Sequence, residues 1–259
     1  MINREEDIEM SDKRRSTRET PSAKVEVTQK GAFEQSESEQ DEIARLKESL
    51  APVINRDYTQ EVEEEIQRLM RYAREQNPEA DFSRLEKAIE IARDAHKMQK
   101  RKTGEPYILH PLAVAQILTE LDVDEDTLCA AVLHDTVEDT NISLADLREI
   151  FGDEVADLVD GVTKLEKMSF DSQEELQAEN FRKMFLAMAK DIRVVLIKLA
   201  DRLHNMRTMK HLPPYKQVKI SRETLDIYAP LADRLGVYRW KWELEDLCLR
   251  YIDPEAFYE

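Results

Sequence analysis

From about Tyr58 onward, apolar residues return every three or four positions, and nowhere do they alternate with period 2 long enough for a strand. No other feature of the chain restricts its fold as strongly. Val62, Ile66, Leu69, Met70 and Tyr72 mark a helix over 59–76, which Pro78 ends. Asp81 or Ser83 can cap the next helix, whose apolar face carries Leu85, Ala88, Ile89, Ile91, Ala92 and Ala95. Further helices are predicted at about 111–121, 124–137, 143–150, 153–165, 173–190, 192–210, 214–235 and 239–251. Breaks fall at Gly104-Glu-Pro106, Gly152, Pro213-Pro214 and Gly236, and Ser143 stands where a cap precedes Leu144, Leu147 and Ile150. The expectation is an all-α domain of about ten helices, beginning near residue 50.

Glycine usage points the same way. The chain has 5 glycines in 259 residues, where average usage would give about 18. No G-x-G-x-x-G or G-x-x-x-x-G-K string is present, so phosphate is not cradled by a glycine-rich loop. With 38 Lys+Arg against 55 Asp+Glu the net charge is −17, which argues against nucleic-acid binding as the main task. Residues 1–45 form a polar leader in which residues 1–40 hold one aromatic, Phe33; disorder is expected there. The start lacks the apolar core of a secretory signal. No apolar run approaches the ~20 residues that span a bilayer. Cys129 and Cys248 form neither a disulfide framework nor a metal cluster, and Cys129 sits in the apolar run Leu128–Leu133 as a buried thiol. A soluble, cytoplasmic chain with no membrane contact is expected. Residues 236–259 contain a helix whose apolar positions recur to its end; they are read as a segment connecting to a further domain, the alternative being a natural terminus docked on the core.

The five histidines lie between His96 and His211. His110, His134-Asp135 and Asp201 each interrupt or follow an apolar run, and polar groups in such places must be paired or bind something. On a helix His134 and Glu138 share a face, as do Asp135 and Asp139. Two imidazoles and two carboxylates converging from three helices would suit Mn²⁺, Fe²⁺ or Zn²⁺, and nitrogen and oxygen donors without thiolate favour Mn²⁺ over a structural zinc. The alternative is an Asp–His hydrogen-bond network inside a bundle. Against the acidic total, Lys97, Lys100, Arg101 and Lys102 make one basic island, and Lys198, Arg202, Arg207 and Lys210 another. Asp201, Asn205 and Thr208 fall on one helical stripe beside these cations. That grouping suits a nucleotide, with phosphates met by Arg and Lys and the base read by an amide. His96 is expected as a hydrogen-bonded core histidine, and His204 either as a partner behind a ligand or at the surface. His211 is read as a helix end, Tyr107 as core or pocket wall, Trp240 and Trp242 as packing the last helix, and residues 168–175 as a lid.

The strings Arg101-Lys-Thr-Gly-Glu-Pro-Tyr-Ile-Leu-His110, Ala131-Val-Leu-His-Asp-Thr-Val-Glu-Asp139 and Lys198-Leu-Ala-Asp-Arg-Leu-His-Asn-Met-Arg207, flanked by Gly161-Val-Thr-Lys-Leu165, resemble the HD hydrolase domain of long RelA/SpoT-type (p)ppGpp synthetase/hydrolases. The resemblance covers about residues 50–259. It implies an HD-type helical phosphohydrolase fold over 50–235, with 236–259 leading toward a synthetase domain that is absent here, as are the family's regulatory domains. It implies hydrolysis of ppGpp or pppGpp to pyrophosphate and GDP or GTP in the stringent response. By that resemblance His110, His134, Asp135 and Asp201 are the ligands of one Mn²⁺ per active site. Glu138 and Asp139 are the catalytic acidic pair, and Arg101, Lys102, Asn205 and Thr208 bind the guanine nucleotide. Two other functions stay open: phosphohydrolysis of a different nucleotide, and a non-catalytic regulatory module that binds nucleotide.

Overall fold

In the computed structural model, residues 56–166, 182, 186 and 188–258 are described, and all belong to the unit Val53–Glu259. Among them there is no strand, only an isolated antiparallel bridge between Lys100 and Pro106. The helices are α1 (Thr59–Gln76), α2 (Ser83–Ala95), α3 (Leu109–Leu118), α4 (Glu125–Leu133), α5 (Thr136–Asp139), α6 (Leu144–Phe151) and α7 (Asp153–Glu166), then α8 (Ile192–Thr208), α9 (Pro214–Glu223), α10 (Ala229–Arg234), α11 (Tyr238–Ile252) and α12 (Pro254–Tyr258). None is long and apolar enough to cross a membrane.

Local chemistry sets most boundaries. The N-cap of α2 is Phe82, which makes no side-chain cap bond; of the two expected caps, Asp81 stands one residue earlier and accepts the Ser83 N–H at 3.0 Å. Asp124 accepts the Thr127 N–H at 2.8 Å to open α4, and Ser143 with Asp146 forms a reciprocal capping box at α6. Gly152 ends α6 at φ 89°, a conformation that a side chain would strain.

Three expected helices are divided. The helix expected over 124–137 stops at Leu133 and resumes as α5, because the Thr136 hydroxyl takes the Leu133 carbonyl at 2.6 Å. His134 and Asp135 therefore occupy a joint and not a continuous turn. The helix expected over 192–210 ends at Thr208 and tightens into a 3₁₀ turn, Met209–His211, before the two prolines. The helix expected over 214–235 widens into a π turn at Thr224–Tyr228. Pro230 has no N–H for the Asp226 carbonyl and its ring crowds that oxygen in a regular helix; the wider turn accommodates both. The proposed lid over 168–175 and most of the helix over 173–190 lie outside the described residues.

The core is centred on α8, which packs against α3, α4, α7 and α11. Val195, Ile197, Leu199, Ala200, Leu203 and Met206 of α8 are fully buried. The whole of α4 from Thr127 to Leu133 is buried as well, between α2, α3 and α7. At Gly161 of α7 an added Cβ would stand 2.7 Å from Val194 Cγ2 of α8, so this glycine permits the two helices their approach. The expected connecting segment contributes to the same core through Trp240, Leu244 and Cys248, and the Trp240 indole donates to Glu120 Oε2 at 3.2 Å. Trp242, in contrast, is 62% exposed. Both thiols are buried and free, and burial pushes them up, Cys248 to about 12.

Candidate active site

Three places in the fold deliver the polar cluster. His110 lies in the first turn of α3, His134 and Asp135 in the α4–α5 joint, and Asp201 midway along α8. All four are buried. His110 Nε2 is 3.2 Å from Asp201 Oδ1 and 3.6 Å from Asp135 Oδ2, and His134 Nε2 is 3.1 Å from Asp135 Oδ1. One donor atom from each of His110, His134 and Asp201 lies within 4.8 Å of the others, a spacing that could hold a metal ion. Asp135 flanks this triad. Its Oδ2 accepts the Tyr107 hydroxyl at 2.6 Å, so the fourth candidate ligand is shared with a phenol.

The surrounding bonds orient these groups. His134 Nδ1 lies 2.7 Å from the Ala131 carbonyl, an oxygen that can only accept, so that nitrogen carries the proton and Nε2 faces the cluster. Asp201 accepts from the Lys198 ammonium at 2.7 Å on one oxygen and from the Asn205 amide at 2.6 Å on the other. His204 is half-buried and stands against His110, its Nδ1 2.7 Å from His110 Nδ1. His96 is the core histidine expected: it is buried, bonded to the Gln99 side chain at 2.7 Å and stacked 4.7 Å from Tyr107.

Electrostatics favour the metal-binding protonation state. Burial lowers His110 below the usual histidine value, against the pull of Asp201 and Asp135. Burial also works to raise both carboxyls, and it is outweighed. At Asp201 the Lys198 ammonium is the largest of the influences that hold the group well below the ordinary range. At Asp135 the neighbouring imidazoles and the Tyr107 hydroxyl hold the group below its ordinary value. Neutral imidazole beside ionised carboxylate is the form that a divalent cation takes without first displacing protons. The donor set of nitrogen and oxygen, buried and without thiolate, fits a divalent first-row ion.

Over the cluster opens a cavity of 610 Å³, within the range of small-molecule sites. Asp135, Glu138, Asp139 and Asp201 line it together with Lys198, Arg202, Asn205 and Thr208, and with Lys100, Arg101 and Lys102, of which Lys100 and Lys102 are exposed. His134 is buried and is not among the lining residues. Arg101 and Lys102 ride on a turn closed by the Arg101 N–H donating to the Glu105 carbonyl at 2.9 Å, with Gly104 at φ 91°. Arg101 reaches across to Asn205 Oδ1 at 3.0 Å, so the Asn205 amide is engaged at both ends. The Thr208 hydroxyl donates to the His204 carbonyl at 3.0 Å. Arg207 pairs with Glu243 of α11 away from the cavity. Sequence reasoning assigned no part to Lys198 beyond its basic island and read His211 only as a helix end; the first grips Asp201 and the second lines the cavity. The signal for Lys198 was available, since it lies three residues before Asp201 on one helix.

The model of the HD domain matches residues 88–238, which contain the polar cluster and every residue that lines the cavity. The chain belongs to the HD-domain family. This HD domain is 59% identical over 171 residues to a probable guanosine-3′,5′-bis(diphosphate) 3′-pyrophosphohydrolase of Synechocystis, covering 66% of the chain and 22% of that protein. It is 54% identical over 180 residues to the bifunctional (p)ppGpp synthase/hydrolase SpoT of Escherichia coli, covering 70% and 26%. It is also 56% identical over 185 residues to a GTP pyrophosphokinase of Myxococcus xanthus, covering 70% and 24%. The chain thus spans about a quarter of the length of these relatives. A solved structure of a metazoan SpoT ortholog, described as hydrolysing ppGpp, matches with TM-score 0.50 and 31% identity over 65% of the chain and 94% of that structure.

Proposed function

We propose that this HD domain hydrolyses ppGpp and pppGpp at the ribose 3′ position, releasing pyrophosphate and leaving GDP or GTP, in the stringent response. The observation that carries the reading is the buried His110–His134–Asp201 triad at a cavity whose lining combines the carboxylates of Glu138 and Asp139 with a group of cations. The names of the relatives support the substrate.

In this reading His110, His134 and Asp201 hold one Mn²⁺, with Asp135 as the fourth ligand. When bound, the ion supplies Lewis acidity, drawing charge from a phosphate oxygen and acidifying water. Glu138 and Asp139, one turn beyond the ligands, orient the attacking water and take its proton. The water oxygen adds to the phosphorus joined to the 3′ oxygen. That P–O bond breaks, the 3′ oxygen gains a proton, and pyrophosphate leaves. Arg101 and Lys102 meet the nucleotide, and Lys198 and Arg202 offset its charge within the cavity. Asn205 and Thr208 recognise the nucleoside, Asn205 by exchanging its bond to Arg101 for one to the base.

The same reading assigns residues 50–235 to the hydrolase, 236–259 to a segment leading toward a synthetase domain, and 1–45 to a leader. Synthetase and regulatory domains follow in the whole protein, which works in the cytoplasm without contacting nucleic acid or membrane through this region.

The test is pyrophosphate release from ppGpp with Mn²⁺ present. Glu138→Gln should keep Mn²⁺ binding and lose about 10²–10⁴-fold in turnover. The GTP pyrophosphokinases that share this region favour a second reading, a regulatory module. Tight ppGpp binding without pyrophosphate release by the unmodified protein would establish that reading instead. Phosphate release from other nucleotides with ppGpp left intact would redirect the substrate.

A further inference from the structure

Arg101 carries hydrogen-bond donors only, and its Nη1 lies 3.3 Å from Nδ1 of His204. That nitrogen must present a lone pair, because an N–H facing a guanidinium in a half-buried contact would set donor against donor. His204 is thereby neutral, with its proton on Nε2. The same Nδ1 is 2.7 Å from Nδ1 of His110. Two ring nitrogens at that distance share one proton, and His204 has none there to give. His110 Nδ1 is therefore the donor.

The consequence reaches the buried triad. With its proton on Nδ1, His110 turns a lone pair on Nε2 toward Asp201 Oδ1 at 3.2 Å and Asp135 Oδ2 at 3.6 Å. That nitrogen is open to a cation. The competing tautomer would donate Nε2–H to Asp201, which satisfies the carboxylate but closes the nitrogen, and would leave two lone pairs opposed across 2.7 Å. In the metal-free protein the Asp201 carboxylate favours the Nε2–H state, and the contact with His204 is what opposes it. His204 is held for this task by the backbone of α8 and by Arg101, which comes from the turn before α3.

We infer that His204, braced by Arg101, is a positioning residue that fixes the metal-ready tautomer of His110. This rests on the hydrolase reading only in taking His110 as a ligand. Arg101 accordingly supports metal binding as well as the nucleotide, and its removal weakens both.

Long-range proton–nitrogen spectra of the metal-free full chain, labelled at histidine, report which nitrogen of His110 is protonated. The expected result is Nδ1–H in the unmodified protein and loss of that preference in His204→Leu. Mn²⁺ affinity, followed by the paramagnetic resonance of the free ion, should fall about 10–100-fold in His204→Leu. His204→Gln keeps an accepting oxygen and should stay within about threefold of the unmodified protein, well short of that loss. A proton on Nε2 of His110 in the unmodified protein overturns the inference, and that measurement needs no variant to fold. Unchanged Mn²⁺ affinity in a folded His204→Leu overturns it too. Pyrophosphate release separates the two ideas: a protein with the Nδ1–H tautomer that binds Mn²⁺ and leaves ppGpp intact sinks the hydrolase reading and keeps this one.

Discussion

Burial and neighbouring charge make His110 and His204 reluctant to accept a second proton. Burial, then His110 and Arg101, push His204 down to about 3, and burial lowers His110 as well. In the unfolded chain both return to about 6.5. As pH falls through that value the unfolded chain binds protons that the fold refuses, so stability present above about 6.5 drains away toward the folded values. Asp135 and Asp201 are depressed in the fold, and their contribution is present above about 3.9 and lost as pH falls further. The metal-free protein should therefore unfold at steadily lower urea as pH is reduced from 7.5 to 5. His204→Gln should show a shallower decline across that window, and equal slopes for the two proteins would remove His204 from the account. At this scale the sequence was informative wherever a polar residue broke an apolar run, as at His110, His134 and Asp201. It was silent on Tyr107 with Asp135, because the phenol comes from a distant turn and nothing local distinguishes it from a core tyrosine.

Among the elements, the approach of α7 to α8 depends on one missing side chain. An alanine at Gly161 would bring its Cβ to 2.7 Å from Val194 Cγ2, and valine cannot turn that methyl away freely. Gly161→Ala should cost about 1–3 kcal/mol by overpacking, despite alanine's better helix propensity. In a Val194→Ala background the same change should be neutral or stabilise by up to about 1 kcal/mol. Urea melts of the four proteins give the coupling, and an identical cost in both backgrounds would refute the steric explanation. Helix existence was legible in the periodicity and most ends in Asp, Ser, Gly and Pro. The joint at His134-Asp135 and the π turn at Thr224–Tyr228 were not. The first turns on a hydroxyl bonding back to a carbonyl, and the second on how the backbone absorbs Pro230; periodicity registers neither.

Over the whole molecule, a charge of −17 and the proposed polyanionic substrate are compatible because charge is distributed unevenly. Five cations, Lys100, Arg101, Lys102, Lys198 and Arg202, line the candidate cavity. Added salt should lower kcat/KM for ppGpp by screening the exposed members of this group, Lys100 and Lys102. Lys102→Ala should raise KM and leave kcat nearly unchanged, as expected for a contact made equally in ground and transition states. A kcat loss matching the KM change would assign Lys102 to the chemical step. The sequence by itself determined that the chain is helical, that it holds no glycine-rich phosphate-binding string, and which polar residues interrupt its apolar runs. It could do so because helical period, capping and glycine content are local properties of the backbone. Only the tertiary structure decided which atoms meet: that Asp135 is shared with Tyr107, that Lys198 and Asn205 divide the oxygens of Asp201, and that His204 stands between Arg101 and His110. Those meetings depend on the crossing of helices far apart in sequence, and so on packing contacts such as Gly161 against Val194 that no local pattern encodes.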